Sequence, residues 1–200
     1  MSNPRSIFAK ISAAVVIVLA IGTAAVAKRH SDPAFSNIHI RNFGKMDDRF
    51  YRGAQPDESD YKDLKALGVK TVIDLQDHPS SYEKRDVEAL GMRYVNLPMS
   101  DSSYPKQDSV DAFLKLVNDP ATGTMYVHCA GGRHRTGVMG AVYRFNVNHW
   151  NLDQAYAEMK DYDFYTRFGH GDLKTFVEDY SQKMPKTSAA AAVSSASQKN

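Results

Sequence analysis

A chain of 200 residues with a single cysteine, Cys129, cannot form an internal disulfide, and an oxidised Cys129 has no second thiol in the same molecule to resolve it. One Cys with scattered His also lacks the ligand spacing of a zinc site, so no metal and no cofactor are expected. Charge of one sign is equally short: 25 Lys and Arg stand against 23 Asp and Glu, a net +2. The first 27 residues hold Arg5 and Lys10 and no acid, so the remainder is neutral, and nothing argues for nucleic acid or another polyanion as partner. Internal repeats are absent. The longest apolar run, Ile11 to Ala27, is seventeen mostly apolar residues, at the lower limit for a membrane span.

That run has the pattern of a secretory leader: Arg5 and Lys10, an apolar stretch from Ile11 to Gly22, then an Ala-x-Ala ending at Ala27 before Lys28-Arg29. Cleavage after Ala27 is the preferred expectation, and an uncleaved membrane anchor through residues 11–27 is the alternative. Either places the domain outside a bacterial cytoplasm, in the periplasm or beyond. Residues 28–44 read as an N-terminal extension or linker and 45–182 as the domain. Within 183–200, Lys186 to Asn200 is rich in Ala and Ser with no periodic apolar face, and is expected to be disordered.

About 155 residues remain, enough for one domain with one core. Strand-like runs at 69–75, 92–97 and 124–128 alternate with helical patterns at 58–67, 83–90, 108–118, 135–148, 152–160 and 172–182, and Phe50 to Pro56 reads as the opening strand and turn. The expected fold is α/β, a single three-layer domain with a mostly parallel central sheet of four to five strands flanked by helices. Ligands in such sheets bind beyond the carboxyl ends of the strands.

One of those ends carries the chemistry. The apolar run Met125-Tyr126-Val127 leads into His128-Cys129-Ala130-Gly131-Gly132-Arg133-His134-Arg135-Thr136-Gly137, after which Val138, Ala141, Val142 and Phe145 fall at helical spacing. A loop closing into a helix N-terminus directs backbone N–H groups and the positive end of the helix dipole at one point, where a phosphate dianion is held and thiolate is favoured over thiol. Gly131, Gly132 and Gly137 are expected to let the backbone approach that anion. Arg135 can grip two phosphate oxygens through its planar fork, and Thr136 can donate to the sulfur as it leaves.

The segment resembles the cysteine-dependent protein tyrosine and dual-specificity phosphatase superfamily, whose motif His-Cys-x-x-Gly-x-x-Arg-Thr-Gly it meets in full. Upstream, Tyr51-Arg52-Gly53-Ala54-Gln55-Pro56 is similar to the Tyr-Arg-Ser-x-Gln-Pro opening of a compact branch of dual-specificity-like phosphatases in bacteria, fungi and plants, with Gly53 in place of Ser and Arg52 read as structural. The similarity covers roughly residues 45 to 182. It implies Cys129 as nucleophile, Arg135 as the phosphate and transition-state ligand, Thr136 as thiolate partner, and His128 in a supporting role. Ala130, Gly131, Gly132, Arg133 and His134 complete the loop around the substrate. The superfamily also places an acid on a mobile loop before the cysteine, a position that Asp101 fits, with Asp108 as competitor because it stands where a helix begins. Arg167, Gly169, His170 and Gly171 resemble a Gly-His-rich stretch of the bacterial members.

Three functions follow. The first is hydrolysis of phosphate monoesters on proteins, with phosphotyrosine the natural substrate. The second is a phosphatase for inositol polyphosphates or phosphoinositides, which the compact branch includes, although Ala130 stands where related lipid phosphatases carry Lys. The third is a non-catalytic phosphate-binding module or sulfur-transfer domain. Loops 76–86 and 162–171 set the depth of the pocket and are unreadable from sequence.

Overall fold

The computed structural model describes residues 35–185. The chain divides into two units, Met1–Asn37 and Ile38–Asn200, and the fold below belongs to the second. The leader at 1–27, the first part of the extension to residue 34, and the tail from Lys186 onward lie outside the described residues. Among the described residues no helix is long and apolar enough to cross a membrane.

Among the described residues five strands form one sheet: β1 Gly44–Lys45, β2 Phe50–Ala54, β3 Thr71–Gln76, β4 Arg93–Met99 and β5 Met125–Cys129, in the order β1-β2-β5-β3-β4. Only β1 runs antiparallel, against β2; every other pairing is parallel. β2, β3 and β5 are buried along their whole length, as expected where helices cover both faces. Helices α1 Asp60–Ala66, α2 Glu83–Ala89, α3 Gln107–Asn118, α4 His134–Val147, α5 Leu152–Asp161 and α6 Gly171–Lys183 connect and flank them. The expected α/β architecture is therefore the observed one. The two-residue β1 went unread because it is too short to show a period, and Phe50–Ala54 is the second strand rather than the first.

Alternation along the strands sorts the two faces. Phe50, Ile73, Leu75, Met125, Val127 and Cys129 join one cluster with Phe113 of α3, Met139 and Val142 of α4, Met159 of α5 and Phe176 of α6. The intervening residues Val72, Asp74, Tyr126 and His128 face the other way, where Tyr61 and Glu83 lie. α4 is buried from His134 to Phe145, the one helix among the described residues enclosed on nearly all sides. An ion pair inside the protein ties it to α5: Arg144 donates to both carboxylate oxygens of Glu158 at 2.9 and 2.6 Å and stacks over Trp150.

The departure at Gly53 has a packing cause. A Cβ there would lie 2.2 Å from the Tyr126 hydroxyl, which donates to the Ala54 carbonyl at 2.6 Å. The phenol of Tyr126 thus occupies the room a serine would need. Gly53→Ser should destabilise the protein by about 1–3 kcal/mol through overpacking, and Tyr126→Phe should recover part of that loss, in urea unfolding of the two single variants and the double. Additive effects would mean that the two positions do not share this space.

Candidate active site

Cys129 ends β5, the central strand, beyond which the chain turns through residues 130–133 into α4. The carbonyls of three consecutive loop residues are drawn away from the turn. The Gln55 N–H reaches the Ala130 carbonyl at 3.4 Å, Asn42 Nδ2 donates to that of Gly131 at 2.9 Å, and Arg52 donates to that of Gly132 at 2.8 Å. With the carbonyls tethered outward, the N–H groups are free to converge on one point. No side chain caps the N-terminus of α4, so its first donors and its dipole also remain available to an anion.

Two further features hold the loop. Gly132 has φ 66°, and a Cβ on it would sit 2.5–2.6 Å from the backbone of Gly53 and Ala54, so the turn is pressed directly onto β2. Arg52, 1% exposed, stacks over the Tyr162 ring at 3.9 Å while holding Gly132. Its structural reading from sequence stands, with the loop carbonyl as its partner. The glycines do not all act as expected: Gly132 admits the neighbouring strand, and Gly137 gives room to Phe164 and Met159, with its Cβ position 3.5 and 3.6 Å from them.

A cavity of about 200 Å³ opens over the loop, lined by Asp101, Cys129, Ala130, Gly131, Arg133, His134, Arg135, Tyr165 and His170. Cys129 is 4% exposed. Burial opposes ionisation of its thiol, but hydrogen bonds from the Thr136 side chain and backbone, the Arg135 charge and the Gly131 N–H outweigh it and hold the pKa below the ordinary value. The Thr136 hydroxyl is fully buried beside the thiol and favours its ionised form. Arg135 donates through Nη1 to Asp77 at 2.9 Å and to the Met99 carbonyl at 3.1 Å. These contacts anchor the guanidinium from the ends of β3 and β4. Asp77 lies in the 76–86 loop, and no sequence pattern marked it.

One wall of the cavity is aromatic. His134 stacks on His170 at 3.7 Å and meets the edges of Tyr165 and Phe164 at 4.4 and 5.4 Å. His170 Nδ1 lies 2.7 Å from the Asp101 carbonyl, so the nitrogen donates and ties the acid loop to α6. Asp101 lines the cavity, whereas Asp108 lies in the first turn of α3 and does not. Arg133 faces Asp163 at 3.7 Å. His134 is thus packed against rings and not solvated, and burial, then the neighbouring His170, depress its pKa to about 4.

His128 points to the other face of the sheet. Its Nε2 is 2.8 Å from Glu83 and 3.9 Å from Asp74, all three side chains being fully buried. Burial lowers the His128 pKa, but the Glu83 hydrogen bond and charge reverse this and raise it. The ligand-capable atoms of these three residues lie within 4.8 Å of one another. The carboxylates are already engaged: Gln55 donates to Glu83, and the Gln76 N–H and the Tyr94 hydroxyl donate to Asp74. The group is accounted for as a buried ion pair beneath the loop, whose carboxylates also hold these further donors.

The fold and the site define a cysteine-dependent phosphatase, with a thiol activated at a helix N-terminus and an arginine over it. The family model described as "DSP-PTPase phosphatase fused to NAD+ Kinase" matches residues 33–178, and the chain belongs to this family of tyrosine and dual-specificity phosphatases. A probable tyrosine-protein phosphatase of Dictyostelium discoideum, DG1060, is 30% identical over 144 residues, which are 70% of this chain and 82% of that protein. The dual specificity protein phosphatase TpbA of Pseudomonas aeruginosa is 31% identical over 66% of this chain and 56% of its own length. Its crystal structure superposes with a TM-score of 0.60 at 25% identity, covering 74% of this chain and 87% of that one. The catalytic core of the yeast PP-IP phosphatase SIW14 shares the fold, with a TM-score of 0.62 at 21% identity over 72% and 88% of the two chains.

Two measurements test these electrostatics. Alkylation of Cys129 by iodoacetate, followed against pH, should titrate below an ordinary thiol, and Thr136→Ala should move the profile to higher pH; an unmoved profile would show that the hydroxyl does not serve the sulfur. Between the unfolded His value of about 6.5 and about 4 in the fold, the unfolded chain binds more protons at residue 134. Stability should therefore fall as pH drops through that window, by about 1 kcal/mol at pH 5 after solvent screening. Thermal denaturation of His134→Gln should show a smaller loss than wild type between pH 7 and pH 5.

Proposed function

We propose that this phosphatase hydrolyses phosphotyrosine on proteins through a phosphocysteine intermediate. The observation that carries the reading is the lining of the cavity: Cys129 is nearly buried in it, 4% exposed, and Tyr165, His134 and His170 line it as packed rings. A phosphorylated phenol can bring its phosphate to a recessed thiol and has a ring to set against those rings. No lysine stands in the loop between Cys129 and Arg135 to favour a polyphosphorylated ring.

In this mechanism the Cys129 thiolate attacks phosphorus, while the loop N–H groups and Arg135 hold the equatorial oxygens. Asp101 protonates the departing phenolate oxygen, then takes a proton from the water that attacks the phosphocysteine. Thr136 receives the sulfur as it leaves with its electron pair. His128 supports the loop from below, and His170 positions the acid by its bond to the Asp101 carbonyl. The reading is in keeping with a TpbA form crystallised with phosphotyrosine, which shares this fold at a TM-score of 0.53.

A second reading, cleavage of inositol phosphates, is favoured by 28% identity over 122 residues to a rice inositol diphosphatase, covering 58% of this chain and 54% of that protein. The leader-like residues 1–27 further suggest an exported or membrane-attached enzyme.

Phosphate release by the full chain from phosphotyrosine, phosphoserine and phosphothreonine peptides and from inositol phosphates decides between them. Phosphotyrosine should be preferred, Cys129→Ser should abolish turnover, and Asp101→Asn should lower kcat by ~10²–10⁴-fold on phosphotyrosine. Preference for inositol phosphates would install the second reading, and an active Asp101→Asn would return the acid role to Asp108.

A further inference from the structure

Between α5 and α6 the chain makes a loop whose tip the catalytic cavity does not use. Tyr165 and His170 lie at its two sides and are both packed on His134, with edge and stacked contacts of 4.4 and 3.7 Å. Gly169 adjoins the acid loop, its Cβ position 3.9 Å from Ser102. The residues between are therefore held at the mouth of the cavity. Phe168 is 84% exposed, the most exposed large apolar side chain among the described residues. It also has φ 59°, a left-handed conformation that is unfavourable for a bulky residue. A strained, solvent-facing phenylalanine loses stability on both counts, and such outliers concentrate where they serve binding.

The neighbours of Phe168 continue the surface. Its ring meets the edge of Tyr165 at 6.3 Å, and the Arg167 guanidinium lies 5.9 Å from the Phe168 ring and 6.0 Å from the Tyr165 ring. Arg133, the other arginine of the rim, already faces Asp163. Arg167 has no carboxylate within ion-pair distance among the described residues, so its charge is open to a ligand. An apolar platform with a cation on it, beginning where the phosphate cavity ends, suits the part of a substrate that lies beside the phosphorylated side chain.

We propose that Arg167 and Phe168 form a docking lip for the peptide flanking phosphotyrosine, with Phe168 taking an apolar side chain and Arg167 an acidic one. The proposal rests on the phosphotyrosine reading above. A lone phenylalanine at a catalytic mouth fits a peptide better than a lipid surface, which would call for a wider apolar patch and several cations.

The test is steady-state kinetics of the full chain on two phosphotyrosine peptides and on para-nitrophenyl phosphate, which fills the cavity and extends no further. One peptide carries apolar and acidic flanks, the other only Gly and Ser. Phe168→Ala should raise KM for the first peptide by ~5- to 20-fold, with kcat and the para-nitrophenyl phosphate constants unchanged. Phe168→Leu should recover part of the loss, and Arg167→Glu should raise KM for the first peptide while leaving that for the Gly and Ser peptide unchanged. Unchanged KM in the variants, or equal losses on para-nitrophenyl phosphate, would overturn the lip while leaving the phosphotyrosine reading intact. Sedimentation with phosphatidylglycerol vesicles that Phe168→Ala abolishes, at constant peptide KM, would assign the residue to a membrane surface instead. A wild type inactive on both peptides and active on inositol phosphates would remove the reading beneath the proposal.

Discussion

The catalytic site depends on the direction of three carbonyl groups. Those of Ala130, Gly131 and Gly132 are each drawn outward, by the Gln55 N–H, by Asn42 and by Arg52. A peptide plane that turns its carbonyl out turns its N–H in. The loop therefore becomes a cluster of donors before any anion arrives, and its geometry is set by residues 75 or more positions away in sequence. Preorganisation of this kind avoids reorienting dipoles when charge develops on the transferring group. It also explains why a motif confined to ten residues needs β2 beside it: Asn42, Arg52 and Gln55 all come from that neighbourhood, and Gly132 must lie against it.

Charge is managed by layers. Above the sheet, the buried thiol is opposed by desolvation and favoured by Thr136, Arg135 and a loop N–H. Below it, His128, Glu83 and Asp74 lie together out of water, with Tyr94 and Gln55 donating to the carboxylates. A pair removed from solvent is costly unless its lone pairs are occupied, and here each carboxylate has a second donor. Asp74 still feels its burial, which holds its pKa up, against the opposing effects of His128 and the Gln76 N–H. Supporting an active-site loop through a strand, and not through the loop itself, leaves the mouth of the cavity to loops that can vary.

How much of this was legible depended on the range of the interactions. Helices with an apolar face at 3.6-residue spacing, such as α3 and α5, declare themselves within a dozen residues, and Cys129, Arg135 and Thr136 declare their chemistry within eight. With Asp108 competing for the same role, Asp101 could be suggested through the resemblance alone, which implies an acid on a loop before the cysteine. Asp77, Glu83 and Tyr165 could not, since a carboxylate that meets an arginine 58 positions away, or a histidine across the sheet, leaves no local trace. The glycines show the same limit. Their spacing revealed a tight turn, but only the structure separates Gly132, which faces a strand, from Gly137, which faces a helix.

The anchoring of Arg135 to Asp77 has a consequence for the entropy of recognition. Its guanidinium is held from the ends of β3 and β4 before any ligand enters. A long side chain that would otherwise sample many rotamers has therefore given up that freedom when the chain folds. An oxyanion arriving over the loop meets a fork already oriented, and less disorder remains to be lost at each encounter.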